Sequence, residues 1–433
     1  MRVKVIGGGL AGCEAAYQLL KRGYEVEMYE MRPQKTTGAH RTDMLAELVC
    51  SNSLKSDLVD TSSGLLKAEM RMLDCMLLEC ADEAKVPAGG ALAVDRVLFS
   101  QAVERRLSAF DQLTILREEV NAIDLTVPTI IATGPLTSEA LAKEVMALAG
   151  DGMSFCDAVA PIVSADSLDY DKVFAASRYG KGDSDYLNCG MNKEEYLRFY
   201  RALISAECVE DKLLGATFYE NCMPIEVMAK RGEDAMRFGP LRPVGIRGKN
   251  DEKYYAVLQL RKENMAGDAY NLVGFQTNLK FPEQKRVFGL IPGLENAEYM
   301  RYGVMHRNTY INAPKVLDMT FMLREHNNIY IAGQLSGVEG YMESTMSGLM
   351  AGLMMARRLS GQEAVMPDEY TMIGALCRYI SNESIEWLQP MNSNFGLLPA
   401  ITNVRDKKAR KGAYSARALD HMRAYVDSLR GDI

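Results

Sequence analysis

The first thirty residues run through apolar stretches and turns in a telling order. Val3 to Ile6 reads as a buried strand. Glycines follow at 7, 8, 9 and 12, and Leu10, Ala11, Ala15, Leu19 and Leu20 recur at helical spacing until Gly23. A second apolar alternation passes through Val26 and Met28 and ends at Glu30. Further along, LLKAEMRMLDCMLLECADEA (65–84) predicts one methionine-rich helix, and TIIATGPLT after Pro128 predicts a short strand ending at Gly134. Near the other end, NNIYIAGQLSGVEGYMESTMSGLMAGLMMARRL predicts a strand, a glycine-rich turn through Gly333 and Gln334, and a long helix.

Strands that end in glycine and feed a helix are how an open parallel sheet offers its carboxyl edge to a ligand. The middle third differs. KYYAVLQLR and NLVGFQTNL alternate like half-buried strands, and EEYLRFYRALISAE has a helical period. The expected architecture is therefore α/β: a discontinuous Rossmann-like domain from 1–150 and 325–433, with an α+β insertion, 150–325, covering the site.

The turn between the first strand and helix is a G-x-G-x-x-G dinucleotide fingerprint in its required setting. Gly7 permits the tight turn, Gly9 lets the backbone approach a pyrophosphate, and Gly12 lets helix and strand close together. The segment Gly7, Gly8, Gly9, Leu10, Ala11 and Gly12 would then present helix N–H groups to phosphates. Glu30, 18 residues past Gly12, is placed to accept a ribose hydroxyl. The fingerprint alone serves NAD or FAD. A second glycine-rich segment at Gly333 and Gln334, with Gly134, would suit the longer cofactor, FAD, or serve packing alone.

Composition narrows the class. A chain of 433 residues, 48% apolar and 25% charged, is expected to form two or three globular domains. No apolar run approaches the roughly 18 residues of a membrane span. Nine unevenly spaced cysteines, and a first strand that leaves no room for a secretory signal, point to reduced thiols in the cytoplasm. Four scattered histidines give no zinc-site spacing, so no metal is expected. The net charge of −7 argues mildly against nucleic acid, but RDKKARKGAYSAR (405–417) concentrates Arg405, Lys407, Lys408, Arg410 and Lys411. That cluster reads either as a solvated helix face or as a phosphate contact.

Two cysteines sit beside polar turns: Cys50 in AELVCSNSLKS and Cys222 in FYENCMPIEVMAKRG. No C-x-x-C pair exists, and the ordinary reading of either residue alone is a buried, inert thiol.

Together, GGGLAGCEAA, YEMRP, AELVCSNSLKS, ENCMPIEVMAKRG, FGPLRPVGI, YMRYGVMHRNTYINAP and AGQLSGVEGYMESTMSGLMAG closely resemble the folate- and FAD-dependent tRNA (uracil-5-)-methyltransferase family, TrmFO. The resemblance spans essentially the whole chain. It departs at Asn221, where the family usually has glycine, and at Leu241-Arg242, usually Met-Lys. It implies C5 methylation of the T-loop uridine of tRNA (position 54), with 5,10-methylenetetrahydrofolate as carbon donor, NADH or NADPH as reductant and FAD as cofactor. It assigns Cys222 as the nucleophile, Cys50 as a second active-site thiol, Tyr341 beside the flavin and His306 against the folate pterin. It also implies that the basic C-terminal helix meets RNA. The related flavoproteins that modify wobble uridines share the glycine segment but carry a longer C-terminal helical region. The same chemistry on ribosomal RNA, or a flavin-bound RNA-binding protein without turnover, are the alternatives.

Overall fold

A computed structural model describes residues 1–150, 153–158, 160–180, 185–209, 223–248 and 251–429, with backbone alone for 153–158, 180 and 305–307. The opening pattern forms β1 (Arg2–Ile6), α1 (Leu10–Leu20) and β2 (Glu25–Tyr29). β1 pairs in parallel with β2 (Val5 opposite Met28) and on its other side with Thr129–Ile131 (Val5 opposite Ile130). The strand His326–Ile331 then pairs in parallel with Thr129–Ile131, and Leu113–Leu116 with β2. A short antiparallel strand, Met322–Leu323, finishes one edge of this six-stranded sheet. Residues 200 positions apart, such as Thr129 and Ile329, thus become partners in neighbouring strands, as the α/β expectation requires.

The long helix Tyr341–Leu359 closes on α1 for a steric reason. A Cβ at Gly348 would stand 2.1 Å from the Ala11 carbonyl oxygen, and one at Gly352 2.7 Å from that of Ala15. Two glycines one turn apart therefore let the helix backbones touch, and that contact carries Tyr341 to the mouth of the glycine turn. One core draws on residues 3–149 and 310–429; a second draws on 163–297. The second lies under an antiparallel sheet ordered 173–175, 186–191, 256–262, 269–272, 162–164, 299–301. A two-stranded ribbon, Met153–Ala158 with Met305–Tyr310, runs where the chain passes between the two cores.

Two local expectations fail. The stretch 65–84 is two helices, α2 (Ser62–Arg71) and α3 (Met76–Glu83), with Asp74 between them at φ 54°. The break is held from a distance: the buried Glu14 carboxylate of α1 accepts the Met76 and Leu77 amides, capping α3. No glycine or proline marks it. NLVGFQTNL likewise gives strand only through Leu272, because Gly274 turns the chain at φ 78°, where a Cβ would stand 2.5 Å from Pro240. Among the described residues no helix is long and apolar enough to cross a membrane.

Candidate active site

The glycine turn builds a cradle. Gly7 sits at φ 110°, and a Cβ there would meet the Ala132 carbonyl oxygen at 2.5 Å; one at Gly12 would lie 1.9 Å from the Gly7 carbonyl oxygen. Gly9 is different: a Cβ on it would meet nothing within 4 Å. Gly9 is also the N-cap of α1, and no side chain caps that end. The helix therefore points uncapped N–H groups at open space, the setting an anion takes. Across the turn, Glu30 accepts the Gly8 amide (3.0 Å) and the Arg32 Nε–H (2.8 Å). Burial opposes its charged form, but Arg32 and the two amides outweigh that and hold its carboxyl below the usual range. The carboxylate lines a cavity with Gly7, Gly9, Arg32, His40, Thr133 and Thr137, and keeps spare acceptor capacity. An open glycine, a bare helix end and a charged acid together fit the adenosine diphosphate half of FAD.

A second cavity, of about 310 Å³, adjoins the first, with Leu136 lining both, and is lined by Cys50, Lys55, Asn308, Gln334, Gly340 and Tyr341. Two adjoining cavities suit an elongated cofactor with its ring beside Cys50. Gly134 lies just before Pro135, which lines the second cavity, at φ 71° with open space around its Cα. Gly333, at φ 76°, packs against Ala11, and its amide donates to Ser347 Oγ at 2.6 Å. The Gln334 side-chain Nε2 donates to Glu339 Oε2 at 2.5 Å.

Cys50 is half-buried on a loop fastened from several directions. The Cys50 and Ser51 amides both donate to the Tyr341 hydroxyl oxygen, at 2.7 and 3.1 Å. Arg261 donates to Ser51 Oγ (2.9 Å) and Asn52 Oδ1 (2.8 Å), while Arg96 donates to the Leu48 carbonyl and pairs with Glu263 at 2.9 Å. Burial pushes the Tyr341 hydroxyl's pKa up, and the neighbouring Cys50 adds to the rise. Its oxygen already accepts two amides, so its own proton is left to be donated elsewhere. Arg96, Arg261 and Arg301 each interact electrostatically with Cys50. This is the electropositive kind of setting in which thiols act as nucleophiles or bases. Cys13, Cys75, Cys80, Cys189 and Cys377 are by contrast buried, and burial pushes all five thiols up.

Cys222 lies outside the described residues. His306 is described by its backbone, on the Met305–Tyr310 ribbon strand opposite Asp157 and two residues before the cavity-lining Asn308. The basic cluster opens the helix Lys407–Ser428, N-capped by Asp406, whose side chain accepts the Ala409 amide at 2.7 Å. Arg405, Lys407, Lys408 and Lys411 are exposed and Arg410 half-exposed, and among the described residues no acid pairs with any of them. The helix is fixed to the loop before α2 by Ser415 Oγ, which donates to the Val59 carbonyl at 2.6 Å.

A family model described as Glucose inhibited division protein A matches residues 2–363. The methylenetetrahydrofolate--tRNA-(uracil-5-)-methyltransferase TrmFO of Syntrophomonas wolfei is 53% identical over 432 residues, covering 99% of both chains. The chain belongs to the TrmFO family. The TrmFO protein of Listeria innocua is also 53% identical, over 431 residues and 99% of each chain. Among solved structures, Aquifex aeolicus GidA matches with a TM-score of 0.71 at 16% identity, over 98% of this chain and 73% of that one. At that identity the likeness speaks for the fold.

Three residues of this TrmFO chain escaped the sequence reading. Arg32 is buried between Glu30 and Glu47, and Arg96 and Arg261 reach the Cys50 loop from separate parts of the chain. A basic residue two positions beyond the strand-ending acid was a usable signal for Arg32. Nothing local marks Arg96 or Arg261, whose partners are 48 and 210 residues away.

Proposed function

We propose that this chain methylates C5 of the T-loop uridine of tRNA, at position 54, using 5,10-methylenetetrahydrofolate, NADH or NADPH, and FAD. The observation that carries the reading is the Cys50 loop, clamped by Tyr341 and two arginines on a cavity that adjoins the dinucleotide cradle at Leu136. The sum of the reaction is uridine, methylenetetrahydrofolate, NAD(P)H and a proton giving the 5-methyl base, tetrahydrofolate and NAD(P)+. Bound FAD supplies the two-electron chemistry that takes the carbon from methylene to methyl.

The chain's own residues handle the base. Uracil C5 is a poor nucleophile until a group adds at C6, and a thiolate is suited to that addition. The Cys222 sulfur bonds to C6 and C5 takes up the carbon. Cys50 then removes the C5 proton, and the C6–sulfur bond breaks to return the thiolate. Tyr341 holds the Cys50 backbone in place, and its hydroxyl proton is directed at the incoming base. His306 stacks on the pterin, a positioning effect of the kind that lowers barriers by several kcal/mol. The target base has to leave the folded tRNA elbow to enter the cavity. Arg405, Lys407, Lys408, Arg410 and Lys411 contact the RNA phosphates.

The test offers the purified protein carbon-labelled methylenetetrahydrofolate, NADPH and three RNAs: a tRNA transcript, the same transcript with cytidine at position 54, and a ribosomal RNA fragment. Label is expected in 5-methyluridine from the first alone. Label in the ribosomal fragment alone would redirect the substrate, and label in none would remove the methyltransferase reading.

A further inference from the structure

A groove of about 350 Å³, separate from the two cavities above, is lined by Arg41, Phe281, Met300, Arg301 and Tyr302. Its wall is an aromatic stack: Tyr299 and Tyr302 lie 4.8 Å apart and 6° from parallel, and Tyr302 and Phe281 are 4.6 Å apart at 17°. The outer ring is left uncovered, Phe281 being 49% and Met300 62% exposed. Large apolar groups stacked in order and left open to solvent mark a place where another flat group is received. The groove is also positively charged. Arg301 is mostly buried, its Nε has no partner among the described residues, and its pKa is lowered by burial and by the like charges of Arg96 and Arg41. A buried guanidinium crowded by two others and short of a partner favours an anion.

The groove adjoins the active site through one residue. Arg301 Nη2 donates to the carbonyl of Ala39 at 3.3 Å, and Ala39 lines the Cys50 cavity. A ligand in that cavity long enough to pass Ala39 would therefore meet Arg301 at the edge of the groove. A flat ring joined to carboxylates, attached to a group that must sit beside Cys50, describes the aminobenzoyl-glutamate tail of a reduced folate. We propose that the Arg41–Arg301 groove and its ring stack form the subsite for that tail, an inference resting on the proposed function. The aminobenzoyl ring lies on the Phe281–Tyr302 face and the glutamate carboxylates meet Arg41 and Arg301. Added γ-linked glutamates would bring further carboxylates to the same arginines.

The test uses the FAD-loaded enzyme and two direct binding titrations, with tetrahydrofolate carrying one glutamate and then several, beside KM and kcat for methylenetetrahydrofolate and the Kd for tRNA. Arg41→Ala, Phe281→Ala and Arg301→Gln should each weaken folate binding by about tenfold, and the first two should raise its KM by as much. In Arg41→Ala and Phe281→Ala, kcat and tRNA affinity should stay within about twofold of the parent, within ordinary mutational scatter; Arg301→Gln, which also removes a charge facing Cys50, is read by direct folate binding alone. Arg41→Ala should also erase most of the advantage of the longer glutamate tail. Flavin absorbance and melting temperature report folding; should Arg301→Gln fail there, the two exposed positions carry the test. Unchanged folate binding in Arg41→Ala and Phe281→Ala overturns the subsite, and weaker tRNA binding in its place assigns the ring stack to RNA bases. A parent enzyme that neither binds tetrahydrofolate nor methylates tRNA overturns the proposed function itself. A parent that does both while the variants are silent overturns the subsite alone.

Discussion

Replacing Cys50 by alanine should cut ribothymidine formation by roughly 10²–10⁴-fold, the usual worth of a positioned acid or base, while FAD content and tRNA affinity stay near those of the parent. The separation of effects follows from the geometry. The loop is held by its backbone and its neighbours: the Cys50 amide to Tyr341, Ser51 and Asn52 to Arg261, and the Leu48 carbonyl to Arg96. Deleting the half-buried sulfur leaves all those bonds in place. Tyr341→Phe makes the contrasting case, since it strips the acceptor from two amides at once. That change should loosen the loop, at about 1–3 kcal/mol for the unmet donors, and lower activity with a fall in melting temperature. A Cys50→Ala protein that methylates at the parental rate would remove Cys50 from the chemistry.

The second large effect separates two glycines three residues apart. Gly12→Ala should fail to give a stable protein, because its Cβ would stand 1.9 Å from the Gly7 carbonyl oxygen, backbone that cannot step aside. Gly9→Val should fold, since Gly9 has φ −80° and open space around its Cα, yet it should purify without flavin. The added side chain occupies the space that the cradle leaves for a pyrophosphate. Visible absorbance and thermal melts of the two variants, compared with the parent, distinguish the outcomes. A yellow, fully loaded Gly9→Val protein would mean that the cofactor lies elsewhere.

The contrast between these glycines also shows what a sequence carries. Strand, turn, helix and strand over residues 2–29 are local events, set by apolar period and by glycine at fixed offsets, and they were legible. So were the strands Thr129–Ile131, Ala256–Lys262 and His326–Ile331 and the helices from Lys193 and Tyr341. What escaped was decided by contacts far apart in sequence. The α2–α3 break depends on a carboxylate more than 60 residues upstream, at Glu14. The clamp on Cys50 depends on arginines that look like ordinary surface charges until the fold brings them in. The thiol's surroundings are therefore legible only in the folded chain, whereas the strings shared with the family indicate its chemistry in the sequence.

The central claim is that a uridine base enters this cavity and is attacked at C6 by a sulfur of this chain. A tRNA carrying 5-fluorouridine at position 54 tests it, because fluorine cannot leave C5 as a proton does and the sulfur–carbon bond is retained. After incubation with methylenetetrahydrofolate and NADPH, digestion and peptide mass mapping should find the fluorinated nucleotide on Cys222. A nucleotide carried by Cys50, or no adduct from an enzyme that methylates ordinary tRNA, would contradict that assignment.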